Sequence, residues 1–346
     1  MIYNILLKNT HFYKNKENNV NSTGIDIGLN LWQLTKNKLN NLTNCLPEKC
    51  KEMKMGVLTL QPEPIESFDE TFYCVKSCTG RLKKPADKCY NIISCFGDNV
   101  TGRKKPEWVA VSKHGKANRK NKSQRFLWDI ICPSVEEYKQ HILDLITEIL
   151  KADVKGIHLE SIGFPRSEYC TCERCTQKHE ESKIEWTQWR AKIVTDLVSE
   201  TSKLVRENNK GFSVTILPDP CFGKERYGED FNALAKCVDF FLVPIYDMHY
   251  STTYWLENLA FDFSKQLKKP MYIELYASNP GPKLKNLVSA MACVSKYADG
   301  IILATHDPCL TKKIQQKMVT NKEIMKFLQK HKCERLSNII EKWKNI

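Results

Sequence analysis

Three cysteines fall within six residues in Tyr169-Cys170-Thr171-Cys172-Glu173-Arg174-Cys175, shortly after the apolar run Gly156-Ile157-His158-Leu159-Glu160. The Cys170-x-Cys172-x-x-Cys175 spacing brings three soft donors into a single turn, close enough to bind one tetrahedral ion. Zinc is the default for such a set, because it favours thiolates in a closed four-coordinate structural site. A fourth donor is then required. Cys132 is the first candidate, since Ile130-Ile131-Cys132-Pro133-Ser134 precedes the helix leading into the Gly156 strand; His179 and Cys221 are alternatives. Free thiols without metal remain open, whereas the spacing does not match common iron–sulfur motifs. A closed thiolate site does not catalyse. It would pin the loop after Glu160.

The second set of residues able to do chemistry is acidic and aromatic. Glu160 ends an apolar strand, and Glu274 interrupts another, Tyr272-Ile273-Glu274-Leu275-Tyr276, where an unpaired carboxylate would be costly to bury. Asp98, Asp219, Tyr246-Asp247 and His306-Asp307 follow other strand-like runs, and Trp108, Trp255, Tyr246 and Tyr276 add flat apolar faces. Acids among aromatics suit sugars, whose rings stack and whose hydroxyls need acceptors. Breaking a glycosidic bond takes two carboxylates, one protonating the leaving oxygen and one attacking or activating water. Glu160 and Glu274 are the pair expected to do so. Trp108, Tyr246, Asp247, Tyr276 and Trp255 are expected to bind substrate. Plainer readings exist: Glu160 paired with Arg166, Asp247 capping a helix, Asp219 forming a turn in Pro218-Asp219-Pro220, and His158 held as a core histidine.

Such residues meet only if the elements carrying them close into a ring. Strands are expected at 24–30, 57–61, 90–96, 155–160, 212–217, 239–246, 271–277 and 300–304. Amphipathic stretches lie between them, such as the helically spaced Val135, Tyr138, Ile142, Leu145, Ile146 and Ile149. A helix is expected between Ser67 and Lys84, and 322–343 supplies the last one. Alternating strands and helices call for a parallel sheet with right-handed crossovers. The fold class is therefore α/β, a (β/α)8 barrel with a short N-terminal extension; an open doubly wound sheet is the alternative. The expected boundaries are an extension over 1–23 and the barrel over 24–346. In a barrel, strands four and seven face each other across the mouth, and the C-terminal strand ends line the active site.

Composition sets the limits. The 346 residues are 42% hydrophobic and 27% charged, an ordinary globular balance, and no apolar run approaches the roughly 20 residues of a membrane span. No secretory signal is evident at Met1–Leu7. Fifteen irregularly spaced cysteines fit a reducing cytoplasm with one metal cluster better than a disulfide framework. The net charge is +13, and the 102–125 segment alone carries nine Lys and Arg residues. That segment is either a solvated loop or a contact for a polyanion.

The stretch from Asn91 to Arg190 resembles glycosidase-like barrels, particularly the β-galactosidases that carry a cysteine-bound zinc. The resemblance rests on an ordered series: Ile92-Ile93-Ser94-Cys95-Phe96, Pro106-Glu107-Trp108, Cys132-Pro133-Ser134, Gly156 to Glu160, the cysteine cluster, then Trp186 and Trp189. It implies a structural Zn2+ held by Cys132, Cys170, Cys172 and Cys175. The Gly156–Glu160 run with Phe164-Pro165 is also similar to a wider set of glycosyl-hydrolase-like proteins with an acid at this strand end. The galactosidases place their acid in an Asn-Glu pair, whereas Leu159-Glu160-Ser161 has no Asn. The expected activity is retaining glycoside hydrolysis, with Glu160 as acid/base and Glu274 as nucleophile. The alternatives are a glycan- or nucleic-acid-binding barrel without catalysis, and a lyase or isomerase using Asp247 and His306.

Overall fold

The computed structural model describes residues 52–345. Eight parallel strands close a ring: β1 (Lys54–Thr59), β2 (Glu70–Lys76), β3 (Tyr90–Ser94), β6 (Gly156–Glu160), β7 (Gly211–Thr215), β8 (Phe240–Pro244), β9 (Met271–Tyr276) and β10 (Gly300–His306). The remaining pair, β4 (Val111–Ser112) and β5 (Gly115–Lys116), forms a separate antiparallel ribbon. Each barrel strand pairs with its sequence neighbour, and β1 pairs with both β2 and β10 to close the circle.

Two expectations change, at 67–84 and at 322–343. The stretch read as a helix between Ser67 and Lys84 contains β2, and β2 is the strand that completes the ring. The strand expected at 24–30 lies outside the described residues. Glu160 and Glu274 still end up on the fourth and seventh barrel strands, because β1 and β2 together precede β3. The 322–343 region is two helices rather than one, α10 (Lys322–Lys330) and α11 (Glu334–Lys344), after α9 (Pro308–Thr320).

The other helices are α1 (Asn99–Lys104), α2 (Glu136–Ile149), α3 (Glu173–Ser182), α4 (Trp186–Glu207), α5 (Gly223–Tyr227), α6 (Phe231–Leu234), α7 (Tyr254–Gln266) and α8 (Leu284–Val294). Helix α2 shows why they form and dock. Tyr138, Ile142, Ile146 and Ile149 recur at helical spacing and are buried, while Glu136 and Glu137 sit in the first turn, where the helix dipole favours negative charge. Each such side chain, fully buried, contributes about 1.5–3 kcal/mol of apolar transfer energy.

Alternation along the strands separates two cores. Residues such as Val57, Ile93, Ile157, Leu159, Val214, Val243, Ile273 and Leu275 face outward and form one apolar cluster with the helices. The residues between them face the barrel axis. Near the strand starts the axis is filled by aromatic rings: Phe72 stacks on Tyr90 at 5.2 Å and Phe240 on Tyr272 at 4.5 Å, with Tyr90 and Phe240 edge to face at 5.5 Å. Glycine is required around this plug. A Cβ on Gly156 would stand 2.5 Å from the Tyr90 ring, and one on Gly211 would stand 2.4 Å from its hydroxyl. The layer above holds His158, whose ring nitrogens meet Ser213 Oγ and Thr215 Oγ1, each at 2.8 Å. The aromatic rings beneath it close the barrel at the strand starts.

Candidate active site and metal centre

Strand alternation carries His158 to Glu160 and Tyr272 to Glu274, so both carboxyls point inward above the aromatic floor. Ser161, with φ of 53°, turns the chain sharply after Glu160 and ends β6 there. Glu274 is 2% exposed and Glu160 is half-buried. Burial pushes Glu160 up to about 7. Burial also pushes Glu274 up to about 8, with the negative charge of Glu160 as the next cause, while the Tyr246 hydroxyl opposes the shift. Tyr246 donates that hydroxyl to Glu274 Oε1 in a short hydrogen bond. The two acids therefore feel each other across the mouth, and near neutrality the pair retains a proton. Among the described residues no hydrogen bond or ion pair engages the Glu160 carboxyl. Arg166 is occupied elsewhere, bonding Gln124 and stacking on Phe126.

The aromatic residues divide. Tyr246 and Tyr276 lie 5.9 Å apart, beside Glu274. The Tyr250 hydroxyl accepts from Tyr276 N at 2.7 Å and donates to Ile245 O at 3.0 Å, which ties the ends of β8 and β9 together. Trp108 packs against Tyr138 at 6.3 Å and receives the Lys105 ammonium 5.5 Å above its ring. Trp255, on α7, is partly buried against the outer core. Asp247 accepts from His249 N at 2.8 Å, a local turn bond. His306 Nδ1 meets Ser278 Oγ at 3.1 Å, and burial lowers its pKa. His158 is 0% exposed, and burial lowers its pKa to about 3, so it stays neutral in the core. Asp98 belongs to a support network: Lys76 Nζ lies 3.2 Å from Asp98 Oδ2 and donates to Ser94 O at 2.7 Å, while Tyr138 donates to Asp98 Oδ2 at 2.9 Å. Burial alone would raise the Asp98 pKa, but Lys76 and these donors hold it below its ordinary value.

Sequence reasoning missed Lys76, whose place inside the wall follows only once 70–76 is a strand. Sequence reasoning also did not single out Phe222, 54% exposed in the loop after β7, or Tyr254, 70% exposed at the start of α7.

The sulfur atoms of Cys132, Cys170, Cys172 and Cys175 all lie within 4.8 Å of one another. Cys132 Sγ is 3.3 Å from Cys175 Sγ and 3.9 Å from Cys172 Sγ. In a tetrahedral zinc site with Zn–S bonds of about 2.3 Å, sulfurs stand roughly 3.8 Å apart, so this donor set fits such an ion. His179 is engaged with Ile184 O and the Trp186 ring, and Cys221 is exposed. The cluster joins three segments: the turn before α2, the loop after β6, and β4, whose Val111 N donates to Cys170 Sγ at 3.2 Å.

The family model described as "Putative glycosyl hydrolase domain" matches residues 73–279, more than half of the chain, and the protein belongs to that family. No curated protein matches the sequence. Among solved structures, the fold is similar to that of α-L-fucosidase isoenzyme 2 from Paenibacillus thiaminolyticus. The TM-score is 0.56 at 11% identity, over 76% of this chain and 48% of that chain. The chain thus spans about half the length of the fucosidase. A class V chitinase from Pseudomonas fluorescens gives a TM-score of 0.47 at 10% identity, over 77% of this chain and 99% of that one. A chitinase from Chromobacterium violaceum gives 0.45 at 10% identity, over 78% and 100%. At 11% identity the likeness to the fucosidase is one of fold. No helix of the described residues is long and apolar enough to cross a membrane.

Proposed function

We propose that the protein is a retaining glycoside hydrolase in which Glu160 is the general acid/base and Glu274 the nucleophile. The observation that carries the reading is a pair of inward carboxyls on the fourth and seventh barrel strands, near enough for the Glu160 charge to raise Glu274, with Glu274 held by the Tyr246 hydroxyl. A hydrogen-bond donor on Glu274 favours its ionised form, so the single proton of the pair belongs on Glu160. The higher value at Glu274 includes repulsion from an ionised Glu160, which vanishes once Glu160 is protonated; the two titrate as a unit. Glu160 would then protonate the leaving oxygen as Glu274 attacks the anomeric carbon. The deprotonated Glu160 would afterwards take a proton from the water that releases the sugar. Tyr276 and the exposed rings of Phe222 and Tyr254 offer surfaces for sugar stacking, with Trp108, Trp255 and Asp247 as further candidate contacts.

Zinc is the ion we assign to the four thiolates. It would hold the loop after Glu160 against the turn before α2 and supply no chemistry to the carboxyls. The fifteen irregularly spaced cysteines fit a reducing compartment such as the cytoplasm better than a disulfide framework.

A panel of aryl glycosides and oligosaccharides, followed by NMR of the first-formed anomer, tests the reading. Wild-type protein should release product with retained configuration, and Glu274→Gln should abolish turnover while keeping the wild-type circular dichroism spectrum. Hydrolysis undiminished in that variant would overturn the assignment.

A further inference from the structure

Between Gly97 and Ile131 the chain leaves the end of β3 and returns, and this excursion carries the 102–125 segment. Its base is fastened to the Glu160 strand end. Gly97 bridges Ile130 and Val109 bridges Ile131, while Cys95 N donates to Glu160 O at 2.8 Å and Phe96 N to Ser161 O at 3.0 Å. Its far part is fastened to the loop that follows Glu160. Arg166 Nη2 donates to Gln124 O at 2.9 Å, and Thr171 N donates to Val111 O at 2.7 Å. Internally, Asn121 Nδ2 donates to His114 O and Lys116 O, and Ala117 N donates to Ala110 O. These bonds make it a built surface, joined to the active-site strand at one end and to the cysteine cluster at the other.

That surface is strongly cationic. All nine of its Lys and Arg residues are exposed, against the single acid Glu107. Among the described residues only Arg119 of the nine meets a carboxylate, Asp129 Oδ1 at 3.3 Å. Eight unneutralised charges concentrated on one loop would ordinarily repel each other, and an anionic ligand relieves that repulsion. The same loop springs from β3, whose last residue, Ser94, pairs with Glu160, so its base lies beside that strand end. The carboxyls themselves hold a proton near neutrality, which limits their repulsion of an anion.

From this geometry we infer that the substrate is an anionic polysaccharide, a chain of carboxylate- or sulfate-bearing sugars, which the loop at 102–125 captures and directs to Glu160 and Glu274. The inference rests on the glycoside hydrolase reading. Duplex nucleic acid is the competing polyanion. It offers no glycosidic bond of the kind this carboxyl pair would address, and it becomes an outcome of the test.

The experiment compares full-length protein with the variant Lys104→Gln/Lys113→Gln/Lys120→Gln/Lys122→Gln, changes confined to exposed side chains without carboxylate partners. Binding and hydrolysis are measured on polygalacturonate, chondroitin sulfate, neutral chitooligosaccharides and a DNA duplex, from low to moderate salt. The expected result is that one anionic glycan is bound and cleaved. Affinity should fall steeply with salt, and the variant should lose on the order of tenfold to a hundredfold in affinity at about 50 mM salt. Polygalacturonate and chondroitin sulfate distinguish carboxylate from sulfate as the group recognised. Cleavage of neutral chains with equal efficiency by both proteins, and no binding of either anionic glycan, would overturn the inference and leave the hydrolase reading intact. Tight duplex binding lost in the variant, without glycan binding, would also overturn it. Binding of an anionic glycan that depends on the loop, without cleavage of any glycan, would sustain capture by the loop and sink the hydrolase reading instead.

Discussion

In the proposed pair, Tyr246 sets how the proton is shared between the two acids. Its hydroxyl is the one influence that lowers the Glu274 pKa against burial and against Glu160. Tyr246→Phe should therefore move the acidic limb of the kcat/KM profile to higher pH and reduce kcat by about 10- to 100-fold, on the scale of losing one directed donor. An unshifted profile would disconnect the tyrosine from the chemistry. The buried pair also leaves a mark on stability. Both acids are raised above their ordinary 4.5, Glu160 to about 7 and Glu274 to about 8, so the folded state favours the proton that the pair shares. That contribution is complete below pH 4.5 and is lost as pH rises through about 7 to about 8. Glu274→Gln should then melt roughly 3 °C or more above wild type at pH 9, with the gap closing toward pH 4, in scanning calorimetry. Glu274 was legible in the sequence because an acid inside an apolar strand needs a reason. The bond from Tyr246 was not, because its partner lies 28 residues away and only strand register brings them together.

At the scale of elements, β2 carries the least expected load. Lys76, 1% exposed, connects β2 to the loop after β3 through Asp98, which in turn caps α1 by accepting from Val100 N and Thr101 N. Lys76→Met would leave a buried carboxylate without its cation and should cost about 3 kcal/mol or more in urea denaturation; Lys76→Met with Asp98→Asn should recover part of it. A loss under about 1 kcal/mol would mean the pair is dispensable. The sequence reading fills eight strands by counting 24–30 and leaves 67–84 as the helix between the strands at 57–61 and 90–96, whereas the β-branched and aromatic run Thr71-Phe72-Tyr73 argues for a strand. The cysteine clamp is a second element-level test. Cys175→Ser should lower bound zinc from one equivalent to near zero by elemental analysis, and the protein should melt at lower temperature. Full zinc retention would place the ion elsewhere.

At the scale of the whole molecule, the closed sheet was readable because strands alternate with helices along most of the chain and because acids cluster at the strand ends. Register and side-chain partners were not readable, since they arise from packing between segments far apart in sequence. The aromatic floor illustrates this: Gly156 and Gly211 look like weak points in strands until the Tyr90 ring is seen lying against both. The rings close the barrel at the strand starts, and the two acids project above them from the fourth and seventh strands, at the end where barrel active sites lie. The central claim is that Glu160 and Glu274 act as one pair with distinct roles. Azide rescue on an activated aryl glycoside tests it most directly. Glu160→Ala with azide should regain turnover and yield the glycosyl azide of retained configuration, while Glu274→Ala with azide should yield the inverted one. Equal turnover of either variant and wild type without azide, or the same azide configuration from both, would contradict it.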